Sequence, residues 1–477
     1  MNYEVVIGIE IHCELKTKTK MFSGSPTSFN EPANTCVNEI DLAFPGTLPT
    51  VNKEAVRKGI MACAAFNLEI DTLLKFDRKN YYYSDLPKGF QITQQFHPLG
   101  KNGYVDIEVD GNTKRIGINR IHLEEDTAKQ FHIDDETLID FNRAGTPLIE
   151  IVSDPDMSSG SEASAYVETL RQTLLYIGVS DVKMEEGSMR CDVNISLNKP
   201  NEPYGTKVEI KNLNSISNVA RAIDYEIKRQ SEILDKGEKV ISSTRRFDES
   251  SRTTIEMRRK EGGVDYKFFP DPNIVPIRLS DDWVKEIVNS LPELPSERKK
   301  RYKNDYGLND NEINVYLGNR DLAELFEECM KYGDKARSIS NWLITDVLAW
   351  LSKNNVEIKN SELKPKELVR MIELIEEKVI SSTQGKDIVL DGIMKGELTE
   401  DIINEKGLKQ VSDEGMLLEV INKVLDEQPQ SIVDYANGKD RAVKFLMGQV
   451  MKKTRGQANP SLANKLIVEE LAKRINK

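Results

Sequence analysis

The 477-residue chain is 39% hydrophobic and 30% charged, a balance that excludes a disordered polymer and leaves room for about three soluble domains. Its net charge of −12 excludes indiscriminate nucleic-acid binding over the whole surface, and its five scattered cysteines exclude both a disulfide framework and a CxxC site. With no apolar run of membrane-spanning length and no signal-peptide pattern, it reads as a cytoplasmic protein.

Residues 6–15, VIGIEIHCEL, have the period of a strand. Side chains alternate along a strand, so Ile7, Ile9 and Ile11 point one way and Glu10, His12 and Glu14 the other. Carboxylates flanking an imidazole suit a divalent metal such as Mg²⁺, and an amphipathic edge strand with solvated charges fits the same spacing. The next segment, FSGSPTSFNEPANT, is too rich in Ser, Pro, Asn and Gly to be regular. Asn52 is placed to cap a helix with Ala55, Val56, Ile60, Cys63 and Ala64 on one stripe. In KFDRKNYYYSDLPKGFQITQQ, from Lys75, basic residues stand beside three tyrosines. Such a group grips phosphate and stacks on a base, or belongs to an ordinary sheet face. Strands around 104–109 and 115–123 read as a hairpin through Asp110-Gly111-Asn112.

The hairpin ends in IHLEEDT, where Glu124, Glu125 and Asp126 form either a point of ligand delivery or an acidic turn. DFNRAGTPLIEIVSDPDM then brings Arg143 and, inside an apolar strand, Glu150; burying a lone carboxylate is costly unless it is paired or bound to metal. Ser161 opens a helix with Tyr166, Val167, Leu170 and Leu174 on its inner face, closed by Gly178. VKMEEGSMRCDVNIS and GTKVEIKNLNSISN mix Lys, Glu and Asn with β-branched residues. The second puts Lys207, Glu209 and Lys211 on one strand face, for phosphate contact or as a ladder of surface ion pairs. A helix over 218–236 ends at Gly237, and Arg245, Arg246, Arg252, Arg258 and Arg259 follow in a stretch that reads as a loop.

From about residue 291 the chain turns helical in period, and a turn at 456–460 separates the last two helices. Residues 439–477 carry ten Lys or Arg against three Asp or Glu, a local +7 that fits a polyanion-docking surface or a solvated helical face. No P-loop, kinase or G-x-S-x-G motif is present. With four histidines, the chemistry must lean on carboxylates, lysines and a metal.

Together, VIGIEIHCELKT, LAFPGTLPTVN, KFDRKNYYYSDLPKGFQITQ, NRIHLEEDTAK, DFNRAGTPLIEIVSDPDM, GVSDVKMEEGSMRCDVNIS, GTKVEIKNLNS, TRRFDES and RGQANP run collinearly along the chain. They resemble the B subunits of the glutamyl/aspartyl-tRNA amidotransferases, the GatB/GatE family. The resemblance implies an α+β fold: a catalytic cradle on antiparallel β-sheet over 1–292, an all-α helical domain over 293–408, and a small helical, tRNA-binding tail over 409–477. It implies a heterotrimer with an amidase-like A subunit and a small C subunit. That enzyme converts Glu-tRNA(Gln) to Gln-tRNA(Gln), and Asp-tRNA(Asn) to Asn-tRNA(Asn), using ATP, Mg²⁺ and glutamine.

A carboxylate resists ammonia because its leaving group would be oxide, so ATP first converts it to an acyl phosphate. By motif match, Glu10, His12, Glu125 and Glu150 are the expected metal ligands, with Glu124 the alternative to Glu125. Glu10, His12 and Glu125 are also the expected catalytic residues, and Lys79, Lys183 and Lys207 the expected phosphate contacts. Ammonia would arrive from the A subunit. The competing reading is a tRNA-binding scaffold whose catalysis lies wholly in its partners. Many family members carry a Cys-x-Cys and Cys-x-x-Cys zinc pattern. Here the aligned positions are Ser23, Ser25, Asn38 and Asp41, with Cys36 outside them, so no zinc is expected and hydrogen bonds are expected to hold the loop.

Overall fold

The computed structural model describes residues 3–27, 30–259, 265–409, 414–439, 441–454 and 457–475, with Asn212 described by its backbone alone. The chain forms two compact units, Met1–Arg298 and Lys299–Lys477.

The first unit is built on a nine-stranded sheet. Its strands in chain order are β1 (Glu4–Glu14), then, after helix α1 (Lys53–Ala65), β2 (Glu69–Ile70). Short strands β3 (Leu73–Leu74), β4 (Asp77–Asn80) and β5 (Phe90–Thr93) lead to β6 (Gly100–Val109) and β7 (Asn112–Glu125). A separate hairpin, β8 (Lys129–Ile133) and β9 (Glu136–Asp140), precedes β10 (Pro147–Ser153), α2 (Gly160–Tyr176), β11 (Met189–Asn198), β12 (Val208–Leu213) and α3 (Ile216–Asp235). β13 (Ser243–Asp248), β14 (Thr253–Arg259), β15 (Phe269–Pro270), β16 (Ile277–Arg278) and α4 (Asp281–Asn289) complete it. The large sheet runs β14-β13-β12-β11-β1-β10-β7-β6-β2.

All its neighbours are antiparallel except β12 and β13, which are parallel because helix α3 carries the chain across between them. β1 lies at the centre, between β10 and β11. Its Ile7, Ile9 and Ile11 are fully buried with Ile60 and Cys63 of α1 and Tyr166, Val167, Leu170 and Leu174 of α2. Burial of each such aliphatic chain contributes about 1.5–3 kcal/mol. Glu10, His12 and Glu14 necessarily face the other way.

Local chemistry sets the boundaries. Asn52 caps α1 by accepting from the Glu54 and Ala55 N–H groups. Ser159, two residues before Ser161, caps α2. The β6–β7 turn needs only Asp110 and Gly111, both at positive φ (50° and 79°), and Asn112 already pairs with Val109. The arginine-rich stretch that read as a loop is instead the β13–β14 hairpin at the sheet edge. Arg245 turns inward there, 3.1 Å from the fully buried Glu226.

Among the described residues of the second unit the regular elements are all helices. Among its helices are Asp310–Gly318, Arg320–Met330 and Pro365–Glu376, followed by Glu414–Glu427, Pro429–Ala436, Arg441–Lys453 and Pro460–Ile475. The last group packs on Leu417, Ile421, Leu425, Leu446, Val450 and Leu466. Within the basic stretch, Lys439, Lys453 and Arg474 are paired with Asp434, Glu427 and Asp426, acids that precede it in the chain, so part of the local +7 is neutralised inside the unit. Gly456, the start of the expected turn, lies outside the described residues. Among the described residues no helix is long and apolar enough to cross a membrane.

Candidate metal centre

Register across three central strands builds the site. Glu150 of β10 stands opposite His12 of β1 on one side and His122 of β7 on the other. Glu124 lies two residues along from His122 and so shares its face. His12 Nε2 is 3.6 Å from Glu150 Oε2 and 3.7 Å from Glu124 Oε1. One ligand atom each from His12, Glu124 and Glu150 lies within 4.8 Å of the others, the one such group among the described residues. Two carboxylates supply hard oxygen donors suited to Mg²⁺ or Mn²⁺, and the imidazole adds a borderline nitrogen donor.

His122 is the residue that sequence reasoning missed. It is buried, with Nε2 3.1 Å from Glu150 and 3.4 Å from Glu124. Burial works against its charge, but the two carboxylates outweigh it and hold the imidazole above its ordinary range. Burial also opposes charge on Glu150, and here His122, with help from His12 and Lys79, holds the carboxyl well below its ordinary range. The charge that a metal would supply is thus partly provided by His122.

Of the expected ligands, the structure brings His12 and Glu150 together with Glu124, not with Glu125. Glu125, one residue further along β7, faces the opposite side. Its carboxylate accepts from the Ile92 N–H at 3.0 Å and pairs with Lys88. There it lines a cavity of about 240 Å³ with Lys88, Phe22, Phe90 and Asp126. The signal lay in the sequence: in IHLEE, alternation already puts His122 with Glu124 and sets Glu125 apart.

Glu10 stands beside the group, with Oε1 accepting from Asn194 Nδ2 at 3.0 Å. Burial raises its carboxyl above the ordinary range, with Glu150 and Asp192 adding to the effect and His12 and Lys207 opposing it. Lys207 is exposed, but its charge reaches Glu10. Lys79 lies over the rings of Tyr81 and Tyr266, and its charge reaches Glu150. Lys183 is elsewhere: exposed, and paired with Glu186 at 2.8 Å. Beyond His12, Arg190 donates to Asp126 at 2.8 Å, and burial with the nearby Asp126 raises Glu14 to about 7.

At the four positions aligned with the zinc pattern, Ser23 donates to Asp41 Oδ1 at 2.6 Å, and Asp41 Oδ2 accepts from the Asn38 N–H at 3.1 Å. The Ser25 N–H donates to Ser23 Oγ at 3.3 Å. The fully buried Lys20 ammonium lies 3.3 Å from Asp41 Oδ2.

Residues 5–285 match the family model described as the GatB/GatE catalytic domain, and residues 324–471 match the GatB domain. The chain is 50% identical to proteins named as the B subunit of aspartyl/glutamyl-tRNA(Asn/Gln) amidotransferase from Geobacillus thermodenitrificans and Bacillus pumilus, over 99% of this chain and 100% of each relative. The protein of that name from Staphylococcus aureus is equally similar, again 50% identical over 99% of this chain. The three strands that carry His12, Glu124 and Glu150 fall inside the catalytic-domain match, and the chain belongs to the GatB/GatE family of tRNA-dependent amidotransferase B subunits.

Proposed function

We propose that this chain carries the carboxyl-activating site of a tRNA-dependent amidotransferase acting on Glu-tRNA(Gln) and Asp-tRNA(Asn). The observation that supports this is the convergence of His12, Glu124 and Glu150 on one partly exposed point of a rigid sheet. Mg²⁺ held there would neutralise phosphate charge and align ATP with the carboxyl.

The first step joins a side-chain carboxylate oxygen of the aminoacyl group to the γ-phosphorus of ATP and breaks the bond to ADP. In the second, ammonia adds to the acyl carbon, phosphate leaves, and the nitrogen gives up a proton. Glu10, whose raised carboxyl sits beside Glu150, is the residue to take that proton. Lys79 and Lys207 balance negative charge on either side, and Lys183, tied to Glu186, has no part in this reading.

Ammonia would come from an amidase-like A subunit, with a small C subunit completing a cytoplasmic heterotrimer. The cavity lined by Lys88 and Glu125, on the far side of β7 from Glu124, is its point of entry in this reading. Residues 1–292 then act in catalysis, 293–408 form a helical domain, and 409–477, whose end from residue 439 is basic, hold tRNA. Zinc has no place in the scheme.

The test is phosphoryl transfer from ATP to misacylated tRNA by the reconstituted complex. Glu124→Gln is expected to lower it about 100-fold, while Glu125→Gln leaves it within a few-fold and slows only ammonia transfer. If Glu124→Gln leaves activation unchanged, the chain is a scaffold and catalysis lies in its partners.

A further inference from the structure

Strand β7 carries an arginine that no other side chain holds. Arg120 stands two residues before His122 and shares its face of the sheet. Its side chain makes no hydrogen bond or ion pair among the described residues, and its Nε is buried without a partner. A buried donor left unmade is costly, so such a group calls for an explanation. Arg190, opposite His12 on β11, shows the ordinary arrangement, donating to Asp126 at 2.8 Å.

Register explains why Arg120 is alone. Glu10 of β1 is opposite Val152 of β10, Val152 is opposite Arg120, and Arg120 is opposite Lys101 of β6. Val152 thus keeps Glu10 and Arg120 two strand spacings apart, roughly 9.5 Å. On its other side Arg120 meets a second cation, and like charges directly opposite are destabilising. Lys101 is exposed and likewise has no ion pair among the described residues, although Glu69 stands across from it on β2. Two cations left unneutralised on adjacent strands make a place for an anion. His12, Glu150 and His122 form the next row on β1, β10 and β7, roughly 6.5 Å along.

We propose that Arg120 grips the phosphoryl group as it passes from ATP to the aminoacyl carboxylate, with Lys101 adding charge behind it. The inference rests on the carboxyl-activation reading above. In that step the γ-phosphorus parts from the bridging oxygen, which leaves on ADP with the bonding pair, and joins a carboxylate oxygen; no proton moves. Charge is spread meanwhile over three equatorial oxygens. The planar guanidinium fork matches two of them, a fit that the point charge of a lysine lacks. Glu10, beyond Val152, lies clear of that fork and remains able to take the proton from nitrogen.

The experiment uses the assembled enzyme with Glu-tRNA(Gln). Arg120→Ala lowers the saturated rate of acyl-phosphate formation about 1,000-fold and Arg120→Lys about 100-fold. KM for ATP and glutamine hydrolysis stay within about threefold, the pattern of a contact made only in the transition state. Guanidinium ion added to the assay restores part of the rate to Arg120→Ala and none to the wild type. Calorimetry supplies a readout without turnover: Arg120→Ala weakens binding of ADP with aluminium fluoride, a mimic of the phosphoryl group in flight, about 100-fold and leaves binding of ADP alone unchanged. A rise in KM for ATP at an unchanged saturated rate would place Arg120 on a phosphate that does not move and overturn the proposal. Equal loss of both calorimetric affinities would do the same. Glu124→Gln is run alongside: if it abolishes activation while Arg120→Ala keeps it within a few-fold, the proposal alone falls, and if both variants keep activation, the activation reading falls with it.

Discussion

Glu150→Gln is expected to reduce ATP-dependent acyl-phosphate formation about 1,000-fold, equivalent to ~4 kcal/mol of barrier. Glu150 occupies the middle of the row, opposite His12 and His122 at once, and its Oε2 is 3.6 Å from one imidazole and 3.1 Å from the other. The amide keeps the shape but removes a charge from the proposed metal site and the strongest charge facing His122. The loss therefore exceeds that of Glu124→Gln, since Glu124 is 3.4 Å from His122 and the more distant of its two partners. His122 can shed its proton in the variant, so the fold survives, which circular dichroism would check. Glutamine hydrolysis by the assembled enzyme and tRNA binding should stay within about twofold, since neither uses this carboxylate. Activation retained within a few-fold would show that Glu150 serves the sheet and not the reaction.

The polarity of β1 was legible because a central strand with helices on one side must alternate: Ile7, Ile9 and Ile11 are fully buried, and Glu10, His12 and Glu14 are half-buried on the other face. Helices α1 and α2 were legible from stripe and cap, and α2 and α3 from the glycines 178 and 237 that follow them, both at positive φ. Which strands lie side by side was not. The pairing of β1 with β10 and of β10 with β7 joins segments far apart in the chain, and only that register makes Glu150 a neighbour of both histidines. For His122, alternation in IHLEE sets it on the face of Glu124, but its contact with Glu150 depends on the same cross-strand register. The arginine stretch reads as a loop by its charge, while the alternation of Thr253, Ile255 and Met257 is what makes β14 an edge strand.

Asp41→Ala is expected to cost about 3–5 kcal/mol of stability, the penalty for leaving a buried charge without its partner. Lys20 and Asp41 have side chains 0% and 3% exposed, and burial pulls the ammonium below the ordinary lysine range while Asp41 opposes that shift. Without Asp41, the Phe141 carbonyl at 3.3 Å remains to Lys20, while Ser23 and the Asn38 N–H lose their acceptor. One carboxylate thus gathers a cation, a hydroxyl and a backbone donor where a zinc-bearing relative would gather its ligands round a metal. Urea unfolding of the full chain should show the loss as a lower midpoint at unchanged slope. Lys20→Met combined with Asp41→Leu should recover most of it, because removing both charges leaves neither unpaired. Zinc added to the wild type should leave the midpoint where it was; a zinc-dependent rise, or a loss below about 1 kcal/mol in Asp41→Ala, would mean that this ion pair is not what holds the loop.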